Sequence, residues 1–508
     1  MKKLAEKYHA GQPRKGEGNI PYIVHPRAVA EMLITWGAAE DSAIVQMAWG
    51  HDLLEDTTVT KEEILAVSSL EVLRGIEQLS CPENMEKSQY LQNLANSGDM
   101  NILLVKIADR ISNSKDFVTL KGKLHAYRYM HKADCLIPAL KEMQDERMVQ
   151  NALNAWKELE DFLRDDARHD AIRGCLLGGA VGDALGAPIE FDKIETIRMI
   201  HGPQGVTDYV EYSDGTGSIT DDTQMTLFTA EGVLRAYCRN SAKGICDHIG
   251  VTQFAYKRWL VTQGFSPAAP EDFLDSGWLI KESQLFKRRA PGTTCIHGLL
   301  SGERRAQNDR KGCGTVMRVA PIGLFTDPDF AYEYGCDSSA LTHGHPTGII
   351  AGGAFAMLIS FLMEGKTLEL SLDLVERRLA CEKDSEETLA AIRKARTAKD
   401  IAELGEGWIA EEALAVAIFC ALRHSDDFKA GVLEAINITG DSDTTGSMTG
   451  NILGLLNGEK AIPENWRKNL REYAIVSQVA DDLHQRYEYE DGDTRCPSRK
   501  WWAKYPGF

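Results

Sequence analysis

The stretch Thr220-Asp221-Asp222-Thr223-Gln224-Met225-Thr226-Leu227-Phe228-Thr229-Ala230-Glu231-Gly232-Val233-Leu234-Arg235-Ala236-Tyr237 decides the fold class. Leu227, Ala230, Leu234 and Tyr237 recur at three- and four-residue spacing, the period of an amphipathic helix. The Thr and Asp residues in front of them are the types that cap a helix N-terminus. The same period governs Pro26–Trp36, Ala43–Leu54, Met148–Arg164, Trp408–Leu422 and Ile452–Leu456. Alternating patterns are scarce. The best strand candidate is Gly205–Tyr212, followed by the turn Ser213-Asp214-Gly215. An all-α protein is expected.

A chain of 508 residues exceeds one hydrophobic core, so more than one domain is expected. The charged stretch Arg164-Asp165-Asp166-Ala167-Arg168-His169-Asp170 reads as the joint, ending one helix before a Gly-rich motif opens. This gives domains at 1–165 and 170–490, with a tail at 491–508. A formal net charge of -18 argues against non-specific binding to nucleic acid or anionic membrane. The 11 cysteines contain no C-x-x-C pair, which suits reduced thiols in a cytoplasmic protein. Met1-Lys2-Lys3-Leu4 opens no signal-peptide apolar core. The longest apolar run, Gly348–Met363, is shorter than a membrane span and reads as a buried helix.

Two groups of residues carry chemistry. In the N-terminal part these are His25-Pro26, His51-Asp52, Glu55-Asp56, and Asp109 with Asn113. Residues four apart share a helix face, so His51 and Glu55, Asp52 and Asp56, and Asp109 and Asn113 can each converge. Two imidazoles and two carboxylates suit Mn²⁺ or a similar divalent ion, and the extra acidic pair could orient a water. In the C-terminal part, Thr220-Asp221-Asp222-Thr223 and Asp441-Ser442-Asp443-Thr444-Thr445 each stand at the start of a helix. One such cluster alone reads as an N-cap. Two, each beside its own glycines, read as oxygen ligands for a pair of hard divalent ions. The loop from Gly312 to Pro321 could cradle phosphates with backbone N–H groups, and His343 and His345 follow it.

The order Tyr8-His9-Ala10-Gly11-Gln12-Pro13-Arg14-Lys15, Pro21-Tyr22-Ile23-Val24-His25-Pro26, His51-Asp52-Leu53-Leu54-Glu55-Asp56-Thr57, Ala108-Asp109-Arg110 and Asn113 resembles the HD-type hydrolase domain of the RelA/SpoT family over roughly Met1 to Leu140. That resemblance implies an all-α metal-dependent phosphohydrolase acting on a (p)ppGpp-like guanosine nucleotide phosphorylated on its 3′ side. It implies one Mn²⁺-like ion on His25, His51, Asp52 and Asp109. Glu55 and Asp56 would handle the attacking water, and Arg14 and Asn113 would contact the nucleotide. The loop between Lys15 and Pro21 is longer than in that family, and Trp49-Gly50 stands where the family has small or aliphatic residues.

The run Arg173-Gly174-Cys175-Leu176-Leu177-Gly178-Gly179-Ala180-Val181-Gly182-Asp183-Ala184-Leu185-Gly186-Ala187-Pro188-Ile189-Glu190, the two Asp-Thr clusters, Arg289–Cys295, Gly312–Pro321 and Leu341–Pro346 together resemble the ADP-ribosylglycohydrolase family, near its arginine-specific, nitrogenase-reactivating branch. The resemblance runs from about Ile172 to about Gly458. It implies an all-α domain with two Mg²⁺ (or Mn²⁺) ions on Thr220, Asp221, Asp222, Asp441, Asp443 and Thr444. Glu190 would stand near the bridging water, with Asp221 and Asp443 as further candidates for proton transfer. Gly314, Thr315 and His343 would touch the ADP-ribose of a modified protein substrate. The leading expectation is a bifunctional hydrolase. An alternative from another class is a binding protein that neutralises an ADP-ribosyltransferase toxin by contact, with the HD-type domain as a nucleotide sensor.

Overall fold

The computed structural model describes residues 1–14, 20–144, 146–212, 215–486, 489–490 and 493–507. Helices make up nearly all of its regular structure, and the chain is all-α. Among the described residues the only strands are a short antiparallel pair, Tyr489–Glu490 with Asp493–Pro497. The stretch Gly205–Tyr212 is not a strand. Its backbone partner is a side chain: the Val206 N–H donates to Asn437 Oδ1 at 2.7 Å, and the Val206 carbonyl accepts from Asn437 Nδ2 at 2.9 Å. One amide takes the place of a neighbouring strand there, and at the far end Tyr212 forms only an isolated antiparallel bridge with Gly215. Ser213 and Asp214 of the expected turn lie outside the described residues, as does Lys15.

The chain divides into two compact units, Met1–Ala167 and Arg168–Phe508. The charged stretch 164–170 does not end a helix, because the helix Arg147–Gly186 runs through it. Arg164 pairs with Glu160 at 2.5 Å and with Asp161 at 3.2 Å, spacings at which charges support a helix.

In the first unit the helix Met100–Lys121 packs against Val24–Trp36, Ala43–Gly50 and Leu70–Leu79. Its N-terminus is held by Asp99, whose carboxylate accepts from the N–H groups of Asn101 and Ile102. Val29, Leu33, Val45, Ile76, Leu104 and Ile107 fill the core between these elements. The helices therefore bring His25, His51 and Asp109 to one place.

In the second unit the helix Pro346–Met363 starts two residues before the apolar run read from the sequence. It is long and apolar enough to cross a membrane by length and composition, but 89% of it is buried inside the protein. The helices Pro328–Ala340 and Ala320–Phe325 cover it. A second contact positions the site. Gly174, Gly178, Gly182 and Gly186 follow one another at four-residue spacing and meet Gly454, Gly450, Gly446 and Ser442 of the helix Ser442–Asn457. A Cβ on Gly182 would lie 2.0 Å from the Gly446 carbonyl oxygen, and one on Gly178 would lie 2.3 Å from that of Gly450. The two backbones touch, and Asp183 is thereby set beside Asp443. Residues 499–507, read as part of a tail, are built into this unit. Trp501 and Tyr505 are buried, and the Tyr505 hydroxyl donates to Asp482 at 2.5 Å.

Candidate active sites

In the first unit His51 follows the last residue of the helix Ala43–Gly50, and its Nδ1 lies 2.7 Å from the Ala48 carbonyl. His25, on the helix Val24–Trp36, has its Nδ1 3.0 Å from the Ser112 hydroxyl. Both rings therefore turn Nε2 the same way, and the two Nε2 atoms stand 3.2 Å apart. Asp52 Oδ2 lies 3.1 Å from His51 Nε2 and 3.5 Å from that of His25. Asp109 Oδ1 lies 3.2 Å from His25 Nε2. Burial works to lower the His51 pKa, but Asp52, Asp109 and the Ala48 carbonyl together outweigh it and raise it to about 9. Burial likewise resists the charge on Asp109, yet Lys106, 3.0 Å away, and the two histidines hold that carboxyl well below its ordinary range. Imidazole nitrogens this close share a cation between them, either a proton or a metal. Two Nε2 atoms fixed through their Nδ1 partners, with two carboxylates, fit a borderline divalent ion.

Around this centre, the Tyr22 hydroxyl bridges Asp52 at 2.8 Å and Asp56 at 2.6 Å. Glu55 accepts the backbone N–H of Cys81, and burial raises its pKa. Asn113 donates to Asp109 Oδ1 at 2.5 Å and accepts from Arg14 at 2.7 Å. Arg14 also pairs with Asp116 at 2.5 Å. Tyr22 was quoted from the sequence only as part of a motif, and its bridging role belongs to the three-dimensional arrangement.

In the second unit Thr220 and Asp441 are both N-caps; Asp441 also lines a cavity, whereas Thr220 is buried beside it and is not a lining residue. Thr220 Oγ1 accepts from the Asp222 N–H at 3.3 Å, and Asp441 accepts from the Thr444 N–H at 3.3 Å. Carboxylate oxygens of Glu190, Asp441 and Asp443 lie within 4.8 Å of one another, all three residues buried. Asp221, Asp222 and Thr444 line the same cavity, of about 380 Å³. Burial, reinforced by Asp443 and Asp441, pushes the Glu190 pKa up to about 10. Asp222 and Asp441 are raised well above the ordinary range by burial and then by Asp443. Glu190 Oε2 and Asp222 Oδ1 are buried without a hydrogen-bond partner. Buried carboxylates that repel one another and leave oxygens unpartnered call for cations, and an all-oxygen set fits hard divalent ions.

Asp183 had no role in the sequence reading. Its two oxygens accept from the N–H and hydroxyl groups of Thr220 and Thr223, at 2.5 to 3.1 Å. Burial, then Asp443, raises its pKa to about 7. The Gly292 N–H donates to Asp221 Oδ2 at 3.0 Å. His343 lines the cavity, and burial followed by the Arg318 charge lowers its pKa to about 3, leaving a neutral imidazole. Gly314 lines it as well, and a Cβ there would lie 2.7 Å from Cys295 Sγ. Thr315 is buried behind this wall with its hydroxyl donating to the Gly312 carbonyl, and it is not a lining residue. The rim carries Phe191 and Trp408, stacked with ring centroids 5.6 Å apart.

The sequence profile of the ADP-ribosylglycohydrolase family matches residues 164–492. The chain belongs to this family. Relatives agree in kind. ADP-ribosylhydrolase ARH3 of Xenopus tropicalis is 26% identical over 62% of this chain and 95% of its own length. ADP-ribosylarginine hydrolase Tri1 of Serratia proteamaculans is 24% identical over 67% of this chain and 87% of its own. A further segment of 116 residues is 36% identical to the guanosine-3′,5′-bis(diphosphate) 3′-pyrophosphohydrolase MESH1 of Xenopus tropicalis, over 22% of this chain and 65% of that protein. The ADP-ribosylglycohydrolase part is thus a hydrolase, and the N-terminal unit has a likeness to a ppGpp hydrolase.

Proposed function

We propose that the second unit hydrolyses the N-glycosidic bond joining ADP-ribose to an arginine side chain of a protein. The observation that carries this reading is the group of buried, mutually repelling carboxylates of Glu190, Asp441 and Asp443 facing one cavity. Thr220, Asp221, Asp222, Asp441, Asp443 and Thr444 would hold two Mg²⁺ or Mn²⁺ ions. Bound there, the ions supply charge that orients the ribose hydroxyls, acidifies a water and favours an oxocarbenium-like transition state. Glu190 Oε2, unpartnered in the protein, is the atom placed to take a proton from the attacking water or give one to the departing nitrogen. Neutral His343 adds a polar contact to the sugar or phosphate without bringing a charge. The glycines at 312 and 314 keep the cavity wall low enough for the ligand to reach it. Arginine is favoured over serine because the Serratia relative's name specifies it.

The first unit, in the same proposal, removes pyrophosphate from the 3′ side of a ppGpp-like guanosine nucleotide. His25, His51, Asp52 and Asp109 would hold one Mn²⁺-like ion, with Glu55 and Asp56 on the water and Arg14 and Asn113 on the nucleotide. Tyr22 ties Asp56 to the ligand Asp52, which supports that division of labour.

The test is turnover of ADP-ribosyl-arginine, ADP-ribosyl-serine and ppGpp by the full chain, with and without Mg²⁺, Mn²⁺ and chelator. Asp443→Ala is expected to lower release of ADP-ribose from arginine by at least about 100-fold, the scale of losing a group that stabilises the transition state, and to leave ppGpp hydrolysis intact. Asp52→Ala is expected to do the reverse. If one substitution removes both activities, or neither, the two-site reading is wrong.

A further inference from the structure

Resting on the hydrolase reading of the second unit, we propose that the surface around its cavity mouth docks the modified protein itself and selects ADP-ribosylated side chains flanked by acidic residues. The apolar surface begins immediately after Glu190. Phe191 is 76% exposed, Met199 79% and Ile200 60%, and Trp408, stacked on Phe191, is 36% exposed. Single apolar side chains on a surface are ordinary, but large ones at a cavity mouth, as Phe191 and Trp408 are, mark an interaction site, and Met199 and Ile200 follow on the next helix. This group is held rigidly. The helix Ile194–His201 buries Ile197 completely, and the Ile194 N–H is fixed by the Thr439 hydroxyl at 3.0 Å. Met199 and Ile200 are therefore presented on a preformed element, which reduces the entropy lost on docking.

Charge supplies the selectivity. Arg198, on the same helix, lines a polar cavity of about 540 Å³ together with Lys399 and Arg423. The carboxylates of that cavity are already engaged. Glu434 binds His424 at 2.6 Å and Arg423 at 3.4 Å, and Asp400 caps its own helical turn. Among the described residues, no carboxylate lies within ion-pairing distance of Arg198 or Lys399. Two uncommitted cations on one cavity, in a chain with a formal net charge of -18, would attract a local negative charge. The same three segments build both cavities: Glu190 leads to Arg198, Lys399 leads to Trp408, and Asn437 leads to Asp441. Residues flanking the scissile side chain would meet this charged cavity. An occupant with apolar and acidic groups on either side of a modified residue is a polypeptide rather than a nucleotide.

The experiment uses the full chain and three probes: free ADP-ribosyl-arginine, and two peptides carrying that residue between glutamates or between lysines. Wild-type kcat/KM is expected to be about tenfold or more higher on the Glu-flanked than on the Lys-flanked peptide, and the difference should shrink at high salt. The double variants Met199→Ser/Ile200→Ser and Arg198→Glu/Lys399→Glu are all at exposed positions. Each is expected to lower kcat/KM on the Glu-flanked peptide by about tenfold, with turnover of free ADP-ribosyl-arginine unchanged. Equal losses on the free compound, or no preference between the peptides, would overturn the proposal. Should wild-type protein release ADP-ribose from none of the three probes, the hydrolase reading fails by itself. Fluorescence anisotropy of the labelled peptides then decides docking: tighter binding of the Glu-flanked peptide that the double variants abolish upholds it, and equal binding sinks it.

Discussion

Both oxygens of Asp183 are occupied by Thr220 and Thr223, so this side chain shapes the site from behind. Asp183→Asn would present an N–H group to donors that need an acceptor. Its expected effect is a loss of about 10- to 100-fold in Mg²⁺ affinity, measured by titration calorimetry, as for other groups that orient metal ligands. The protonation of these carboxyls has a consequence for stability. With no ion bound, Glu190 (raised to about 10) and Asp183 (raised to about 7) keep protons that the unfolded chain gives up near its ordinary values of 4.5 and 3.8. Stability from these groups is therefore greatest at low pH and falls as pH rises between those limits. His51, raised to about 9, acts in the same direction: its contribution is complete below 6.5 and lost as pH rises through 9. In chelator, the Tm is expected to drop from pH 6 to pH 8.5, and Mg²⁺ is expected to restore it at the upper end. Glu190→Gln should flatten the slope. A Tm independent of pH in both proteins would contradict this account. His25, His51 and Asp221 could be picked out in the sequence because a dipeptide or cluster frames each of them. Asp183 could not, since a single acid in a glycine-rich run looks like any surface residue until its burial is known.

At the scale of elements, the contact between Arg147–Gly186 and Ser442–Asn457 is the most exacting. A methyl group at Gly182 or Gly450 meets backbone oxygen about 2 Å away, not a side chain that can rotate aside. Gly182→Ala is expected to lower the free energy of unfolding by about 3 kcal/mol or more, at the upper end of overpacking effects, as measured by urea denaturation. An unchanged midpoint would mean that the helices can separate without loss. The helical elements were readable from periodicity, as Leu227, Ala230, Leu234 and Tyr237 show. The ends were harder. Charges at 164–170 resemble a linker in composition, yet Arg164 pairs back to Glu160 and Asp161 and the helix continues through them. The alternation of 205–212 resembles a strand, yet a strand needs a neighbouring strand, and this stretch has the Asn437 amide at Val206 and an isolated bridge to Gly215 at Tyr212.

For the molecule as a whole, the two sites differ in the chemistry they offer. One sets imidazoles among its carboxylates, and the other uses oxygen alone. Graded removal of metal is therefore expected to affect the two activities at different chelator concentrations, followed by assaying ppGpp hydrolysis and ADP-ribose release on the same samples. Loss of both along one curve would argue for a shared ion. The candidate ion ligands stood out in part because they cluster in the chain. The cavity walls were legible only in the motif stretches 289–295 and 312–321; Phe191 and Trp408 stand in no motif of their own. The glycine seam adds a consequence for how such an enzyme can vary. Most damaged contacts in a protein can be repaired by changing the opposite partner. Here the opposite partner is main chain, identical for every amino acid. A selection for second-site suppressors of Gly182→Ala should therefore return almost only revertants, and variation in this family would have to flow around the seam rather than through it.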